Sequence, residues 1–340
     1  MHLFNQILFQ NFYCRILSIY FLLTTATTTS VELRCSNYDV SQLRDISYQC
    51  GKELTCFFEN IQADNETQFV YTSDRYVLSY KCVGFVNSSL HQLPIDLFKR
   101  YSNIEILYAS NLGLKSVSRA LFETANKMVD IHLEGNNLTE LENFLFYGAI
   151  NLRRILVGHN QIEVIGKDTF KKMIKQENTF DNTFQRKLEE IDLSNNKLMN
   201  LEYETFSQLS TLKILLLKQN NIKLKYGLFP LFLKKLDLSY NQLANFTLRQ
   251  LMNSQLLEEL KLNGNYFGNG NIDFIFPEQI FQLMHVYRFE LSDCFQCHML
   301  ADVLTHFKHI NRNIIVQFDT EKVNTPNIFG ISCIDERGSI

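Results

Sequence analysis

The chain of 340 residues contains no Trp and only four Pro. Past its N-terminus it lacks any apolar run near the ~20 residues a membrane helix needs, so no span is expected in the exported chain. It also lacks an excess of either charge, with 33 basic against 36 acidic residues. Without a basic stripe, nucleic acid is not an expected partner. There is no G-x-S-x-G nucleophile turn, no H-E-x-x-H metal pair and no Gly-rich phosphate loop. The carboxylates are scattered, with no pairing that sequence can place in one pocket. No catalytic residue, metal or cofactor is therefore expected, and the chain reads as a non-enzyme. Finally, residues 83–293 contain no Cys.

What is present begins with a leader. ILSIYFLL (16–23) follows Arg15 and precedes the small-residue stretch TTATTTS (24–30). That layout predicts a cleaved signal peptide over 1–30 and a secreted, extracellular protein. Cys14 lies in the leader. The other cysteines stand at the two ends, Cys35, Cys50, Cys56 and Cys82 early, then Cys294, Cys297 and Cys333. Such grouping predicts disulfide-stapled caps made in an oxidising compartment. Four early cysteines admit three pairings, of which Cys56 with Cys82, and Cys35 with Cys50, is preferred. Seven is an odd number, so one cysteine is left as a thiol or for a second chain. Sequons at Asn65, Asn87, Asn137 and Asn245 are candidate glycosylation sites.

Between the cysteine groups the chain repeats. The pattern L-x-x-L-x-L-x-x-N-x-L fits MVDIHLEGNNL (128–138), LRRILVGHNQI (152–162), LEEIDLSNNKL (188–198), LKILLLKQNNI (212–222), LKKLDLSYNQL (233–243) and LEELKLNGNYF (257–267). Its Asn falls at Asn136, Asn160, Asn196, Asn220, Asn241 and Asn265. Ile106, Tyr108 and Asn111 open a degenerate unit, read as carrying one extra residue before Leu114. Val83, Phe85, Ser88 and Leu90 form an earlier unit with Ser in place of Asn. About eight units fill 83–275. A second series, Phe98, Phe122, Phe146, Phe170 and Phe206, predicts a stacked aromatic spine near the outer side. The 36-residue gap between Asn160 and Asn196 places an insertion within 171–187. Its polar composition predicts a surface loop, tolerated at little cost or used as a partner contact.

The pattern has a direct physical meaning. L-x-L is a short strand whose alternate residues point inward. A single unit cannot bury its apolar side, but stacked units can. The Asn sits where the chain leaves the strand, and its amide can satisfy turn backbone groups that would otherwise be buried unpaired. Leu193, Leu238 and Leu262 are then core. The positions between pattern residues face the open side of the sheet. They include Leu107 and Ala109, His132 and Glu134, Leu156 and His159, Asp192, Leu216 and Lys218, Tyr240, and Lys261. Three leucines in one row, Leu107, Leu156 and Leu216, suggest a contact patch, because the solvent side of a strand is usually polar. His132 and His159, on adjacent units, are candidates for pH-tuned binding. Eight strands give a face of roughly 600 Å², near the ~800 Å² per partner of a standard interface.

These repeats and their cysteine flanks resemble the extracellular leucine-rich-repeat family over about residues 35–335. NSSLHQLPIDLF and NIEILYASNLGLKSV look like small secreted insect members, several of them linked to immunity. The resemblance implies an α/β repeat solenoid, a curved horseshoe with a parallel concave sheet. It also implies Cys-containing caps over 31–82 and 276–340. DCFQCHMLADVLTHF, NIIVQF and GISC are similar to the family's C-terminal cap, although the usual Trp and fourth Cys are missing. Cys333 would pair with Cys294 or Cys297, leaving the other as a buried thiol or the link of a disulfide-bonded dimer. CFQCH also matches a haem-attachment string, but its cysteines are already expected in the cap. His306 and His309 follow at a spacing unlike a zinc finger. The implied function is recognition of an extracellular protein or glycan through the concave face, in innate immunity. The alternative is an adhesion or signalling ligand acting at cell surfaces in development. Infection-induced expression would favour the first, and a developmental pattern the second.

Overall fold

The computed structural model describes residues 29–36, 55–171, 188–224, 229–267 and 275–277, with shorter runs between 286 and 332. The chain winds as a solenoid in which each turn adds one short strand to a single sheet. That sheet has eleven strands: Thr55–Glu59, Cys82–Val86, Ile106–Tyr108, Asp130–His132, Arg154–Leu156, Glu190–Asp192, Ile214–Leu216, Lys235–Asp237, Glu259–Lys261, Arg288–Glu290 and Ile315–Gln317. Neighbours in the sheet are neighbours in chain order, and each pairing is parallel. The expected leucine-rich-repeat horseshoe is therefore the fold. Its sheet extends beyond the eight expected strands, by one strand before residue 82 and two after residue 275.

Each strand is short because only two inward positions need filling per turn. The central strand residues Ile131, Ile155, Ile191, Leu215, Leu236 and Leu260 are fully buried. So are the residues two further on, Leu133, Val157, Leu193, Leu217, Leu238 and Leu262. The chain then turns through a left-handed residue. Asn111, Gly135, His159, Asn195, Gln219, Tyr240 and Gly264 all have φ between 53° and 68°. Gly and Asn accept this conformation readily. At Gly135 a side chain is also excluded sterically, since a Cβ there would lie 2.0 Å from Asn111 Oδ1.

The register corrects the reading of the 106 unit. Leu107 pairs in line with Ile131, and Tyr108 with His132. Leu107 and Ala109 are therefore fully buried core residues, not part of the open face. Leu112, rather than Asn111, occupies the position equivalent to Asn136, and no residue is inserted. The misreading arose because a three-letter apolar run, Ile106–Leu107–Tyr108, fits the alternation in either phase.

The asparagines form a continuous ladder beside the sheet. Asn136 Oδ1 accepts from the N–H groups of Leu112 and Leu114, and its Nδ2 donates to the carbonyls of Ala109 and Leu133. Asn160, Asn196, Asn220, Asn241 and Asn265 repeat this linkage to the preceding turn. Ser88 makes a shorter version, accepting from Ile61 N–H and donating to Val86 O. On the outer side the Phe spine stacks as the spacing predicts. Ring centroids from Phe98 to Phe206 follow one another at 6.0, 5.3, 6.1 and 6.0 Å.

At the N-terminal end, Ser30–Leu33 pairs with Gln68–Tyr71, and Cys35 is bonded to Cys56. The preferred pairing of Cys56 with Cys82 is thus overturned. Cys56 faces inward on its strand, toward the segment carrying Cys35. Cys82 has the opposite facing, in register with Thr55, and is itself disulfide-bonded. Cys50, the leader through residue 28, and the insertion from 172 to 187 lie outside the described residues.

Candidate binding surface

Because alternate strand residues point to opposite sides, each three-residue strand shows its first and third residues to the concave face. The register aligns these into rows. One row is Ile106, Asp130, Arg154, Glu190, Ile214, Lys235, Glu259 and Arg288. The parallel row is Tyr108, His132, Leu156, Asp192, Leu216, Asp237, Lys261 and Glu290. Two residues beyond it lie Ser110, Glu134, Gly158, Ser194, Lys218, Ser239 and Asn263.

Of the residues singled out from sequence, His132, Glu134, Leu156, Asp192, Leu216, Lys218 and Lys261 come together here. Leu107 does not, and Tyr108 takes its place in the row. His159 and Tyr240 occupy the left-handed turns at the edge of the face. There Asn195 Nδ2 lies 3.3 Å from His159 Nε2. Lys218 Nζ sits 5.4 Å from the centroid of the Tyr240 ring, a cation–π distance. His132 faces the concave side but is only 2% exposed, so it is a packed group rather than a solvated one. Its Nδ1 is 3.4 Å from Glu134 Oε1, and Ser110 Oγ donates to Glu134 Oε2 at 2.6 Å. Burial pushes the Glu134 carboxyl up, but His132 and Ser110 outweigh it and hold the group below its ordinary value.

Charges across the face are largely arranged as neighbouring pairs. Arg154 forks onto Asp130 at 2.9 and 3.0 Å. Along the strand-start rim, Lys81 meets Glu105, Arg153 and Lys213 both meet Glu189, and Lys234 meets Glu258. Further along, Lys235 faces Glu259, and Lys261 reaches Glu290 at 2.9 Å. Partly exposed pairs of this kind contribute ~0–1 kcal/mol each, so they order the surface more than they hold the fold. Glu190 differs. Burial raises its pKa, and the nearby Asp192 and Asp130 reinforce the shift against Arg154.

Sequence reading missed Asp130, Arg154, Glu190, Ile214, Lys235 and Glu259. All occupy the position just before the inward strand residue, which alternation places on the same face as the position just after it. That signal was present in the pattern. Elsewhere, the four sequon residues Asn65, Asn87, Asn137 and Asn245 are exposed. Cys294 is fully buried, its sulfur 3.0 Å from Leu262 O. Cys297 and Cys333 lie outside the described residues. His306 on the C-terminal side is hydrogen-bonded to Phe276 O at 2.8 Å. Among the described residues no group of His, Cys, Asp and Glu is placed to hold a metal ion. No helix among them is long and apolar enough to cross a membrane.

Comparison with known proteins agrees with this geometry. Residues 79–177 match the family described as BspA type Leucine rich repeat region (6 copies), and residues 187–209 match Leucine Rich Repeat. Mouse Podocan is 25% identical over 182 residues, 52% of this chain. The chain matches only 27% of the length of that protein. Among solved structures, a chain of the octameric complex of Latrophilin 3, Unc5D and FLRT2 is similar with a TM-score of 0.58 and 17% identity. That match covers 89% of this chain and 87% of the other. The LRIM1/APL1C complex gives a TM-score of 0.54 at 18% identity, covering 80% of this chain and 49% of that one. The Toll–Spatzle complex, described as a molecular hub in Drosophila development and innate immunity, gives 0.51 at 17% identity, covering 75% and 33%. At these identities the likeness concerns the fold.

Proposed function

From the premise that this chain is a leucine-rich-repeat protein, we propose that it works outside the cell as a recognition protein in innate immunity. Its concave face holds the partner, a protein or a glycan. The observation that carries this reading is the row of half-buried leucines and charged groups along one open side of a continuous parallel sheet. Half-exposed Leu156, and Ile214 and Leu216 two strands further along, give apolar contact, and the flanking charges give selectivity. A broad sheet face of this kind suits a macromolecule better than a small ligand, which wants an enclosing cavity. The cysteines, the exposed sequons and the leader-like N-terminus support action outside the cell with glycans attached at Asn65, Asn87, Asn137 and Asn245. The Toll–Spatzle complex, similar in fold, is described as a hub in development and innate immunity, which supports this reading and also the second one, an adhesion or signalling ligand acting at cell surfaces in development.

The test is affinity capture from extracellular fluid of the source organism, before and after infection. Three baits are compared: the unaltered chain, Leu216→Arg on the concave face, and Leu231→Arg, which is exposed away from it. Partners retained by the unaltered chain and Leu231→Arg but lost by Leu216→Arg are expected. Equal capture by all three baits would remove the concave face from the account.

A further inference from the structure

The central row of the concave face alternates in an unusual way. Parallel register sets Leu156, Asp192, Leu216 and Asp237 side by side on four successive strands. Asp192 and Asp237 flank Leu216 and stand about 10 Å apart, two strand spacings. From Glu105 to Glu290, the other strand-face carboxylates described above are ion-paired, apart from Glu190. Among the described residues Asp192 and Asp237 have no cation within ion-pair distance, although Lys261, in line with Asp237 on the next strand, feels its charge. The nearby bases are engaged elsewhere, Arg154 on Asp130, Lys218 over Tyr240, and Lys261 on Glu290.

Both aspartates are already positioned. Ser194 N–H donates to Asp192 Oδ1 at 2.8 Å, and Ser239 N–H to Asp237 Oδ1 at 2.9 Å. Each carboxylate is thus fixed by one oxygen, and the other has no hydrogen-bond partner among the described residues. Asp237 is only 9% exposed, and the buried hydroxyl of Ser239 has no partner either. Neither free carboxylate oxygen is a buried unpartnered atom, so both are open to an arriving opposite charge. Gly158 carries no side chain beside Asp192; a Cβ there would lie 3.3 Å from Ser194 O and 3.6 Å from the Asp192 carboxyl.

We propose that the Leu156–Asp192–Leu216–Asp237 row is a recognition strip for a basic protein segment, with two cationic side chains on the two carboxylates and an apolar side chain against Leu216. This rests on the concave-face reading above and narrows its partner to a protein. Neutral sugars supply no cation, and acidic glycans are repelled.

The probe is a fluorescein-labelled peptide, Gly-Gly-Arg-Gly-Leu-Gly-Arg-Gly, in which both arginines and the leucine point to one side when the chain is extended, the arginines about 13 Å apart and long enough to converge on the two carboxylates. Anisotropy titration of the full chain should show binding that weakens as ionic strength rises from about 0.01 M to about 0.1 M. The double variant Asp192→Asn/Asp237→Asn keeps an oxygen for each serine N–H and removes both charges. It should bind at least tenfold more weakly with an unchanged melting temperature. The same peptide with Glu replacing Arg, and a sulfated oligosaccharide, should not bind. No binding of the Arg peptide, unchanged affinity in the Asn variant, or preference for the oligosaccharide would each overturn the strip. If the peptide fails while Leu216→Arg still abolishes capture of the natural partner, only the partner chemistry is wrong. If Leu216→Arg leaves capture intact, the concave-face reading itself falls.

Discussion

Replacing Asn220 by Ala removes one rung of the asparagine ladder, and the structure sets the cost. Asn220 Oδ1 is the hydrogen-bond partner seen for the buried Leu198 N–H, at 3.0 Å. Its Nδ2 donates to Leu193 O at 3.0 Å and Leu217 O at 3.1 Å. Those two carbonyls are not orphaned by the change. Asn196 Nδ2 also reaches Leu193 O, and Asn241 Nδ2 reaches Leu217 O. The principal loss is one buried N–H without a partner, ~1–3 kcal/mol, plus ~0.5–1 kcal/mol for each shared bond. About 3 kcal/mol is therefore expected, measured as a shift in urea midpoint at unchanged slope. Asn220→Asp should be worse near neutral pH, because it keeps the acceptor but sets a carboxylate against backbone carbonyls. A loss below about 0.5 kcal/mol for Asn220→Ala would refute the ladder as a structural element.

Leu238→Asp should unfold the chain or lower its melting temperature strongly, since it buries an unpaired charge at a fully buried position; an unchanged melting curve would refute the register. Phe146→Ala, in the middle of the stacked spine, should cost about 3–5 kcal/mol in denaturant titration. Removing the Cys35–Cys56 bond by Ser at both positions should cost roughly 3 kcal/mol through the unfolded state. Two carboxylates predict opposite pH slopes. Glu134 has a lowered pKa, so its stabilisation is present above 4.5 and is lost as pH falls through its folded value. Glu134→Gln should flatten that acid-side loss. Glu190 has a raised pKa, so its ionised form destabilises increasingly as pH rises above 4.5 through its folded value. Glu190→Gln should stabilise the protein at neutral pH, read from melting curves across pH.

The fold was legible because the repeat constrains two things at once, an inward apolar pair and an Asn that must satisfy backbone groups. Leu193, Leu238 and Asn196 could hardly sit elsewhere. Legibility failed where one of those constraints was absent. In the 106 unit, Leu112 replaces the Asn and the strand is apolar at every position, so the local pattern leaves the phase open, and Leu107 was turned outward. The disulfide was misassigned for a related reason. Cys56 and Cys82 lie in the first two strands, but only register reveals that they face opposite sides of the sheet. On the binding face, single residues such as Asp192 and Leu216 were visible from sequence. Their alternation with Asp237 depends on which strands are adjacent and in line, which pairing in space establishes.

The central claim is that the concave face holds the partner, and site-directed photo-crosslinking tests it most directly. A photoreactive residue is placed at Leu156 or Leu216 on the face, and at Phe232 or Leu256, exposed away from it. With the captured partner present, the account predicts adducts from Leu156 and Leu216 and none from Phe232 or Leu256. Adducts confined to Phe232 and Leu256 would contradict it.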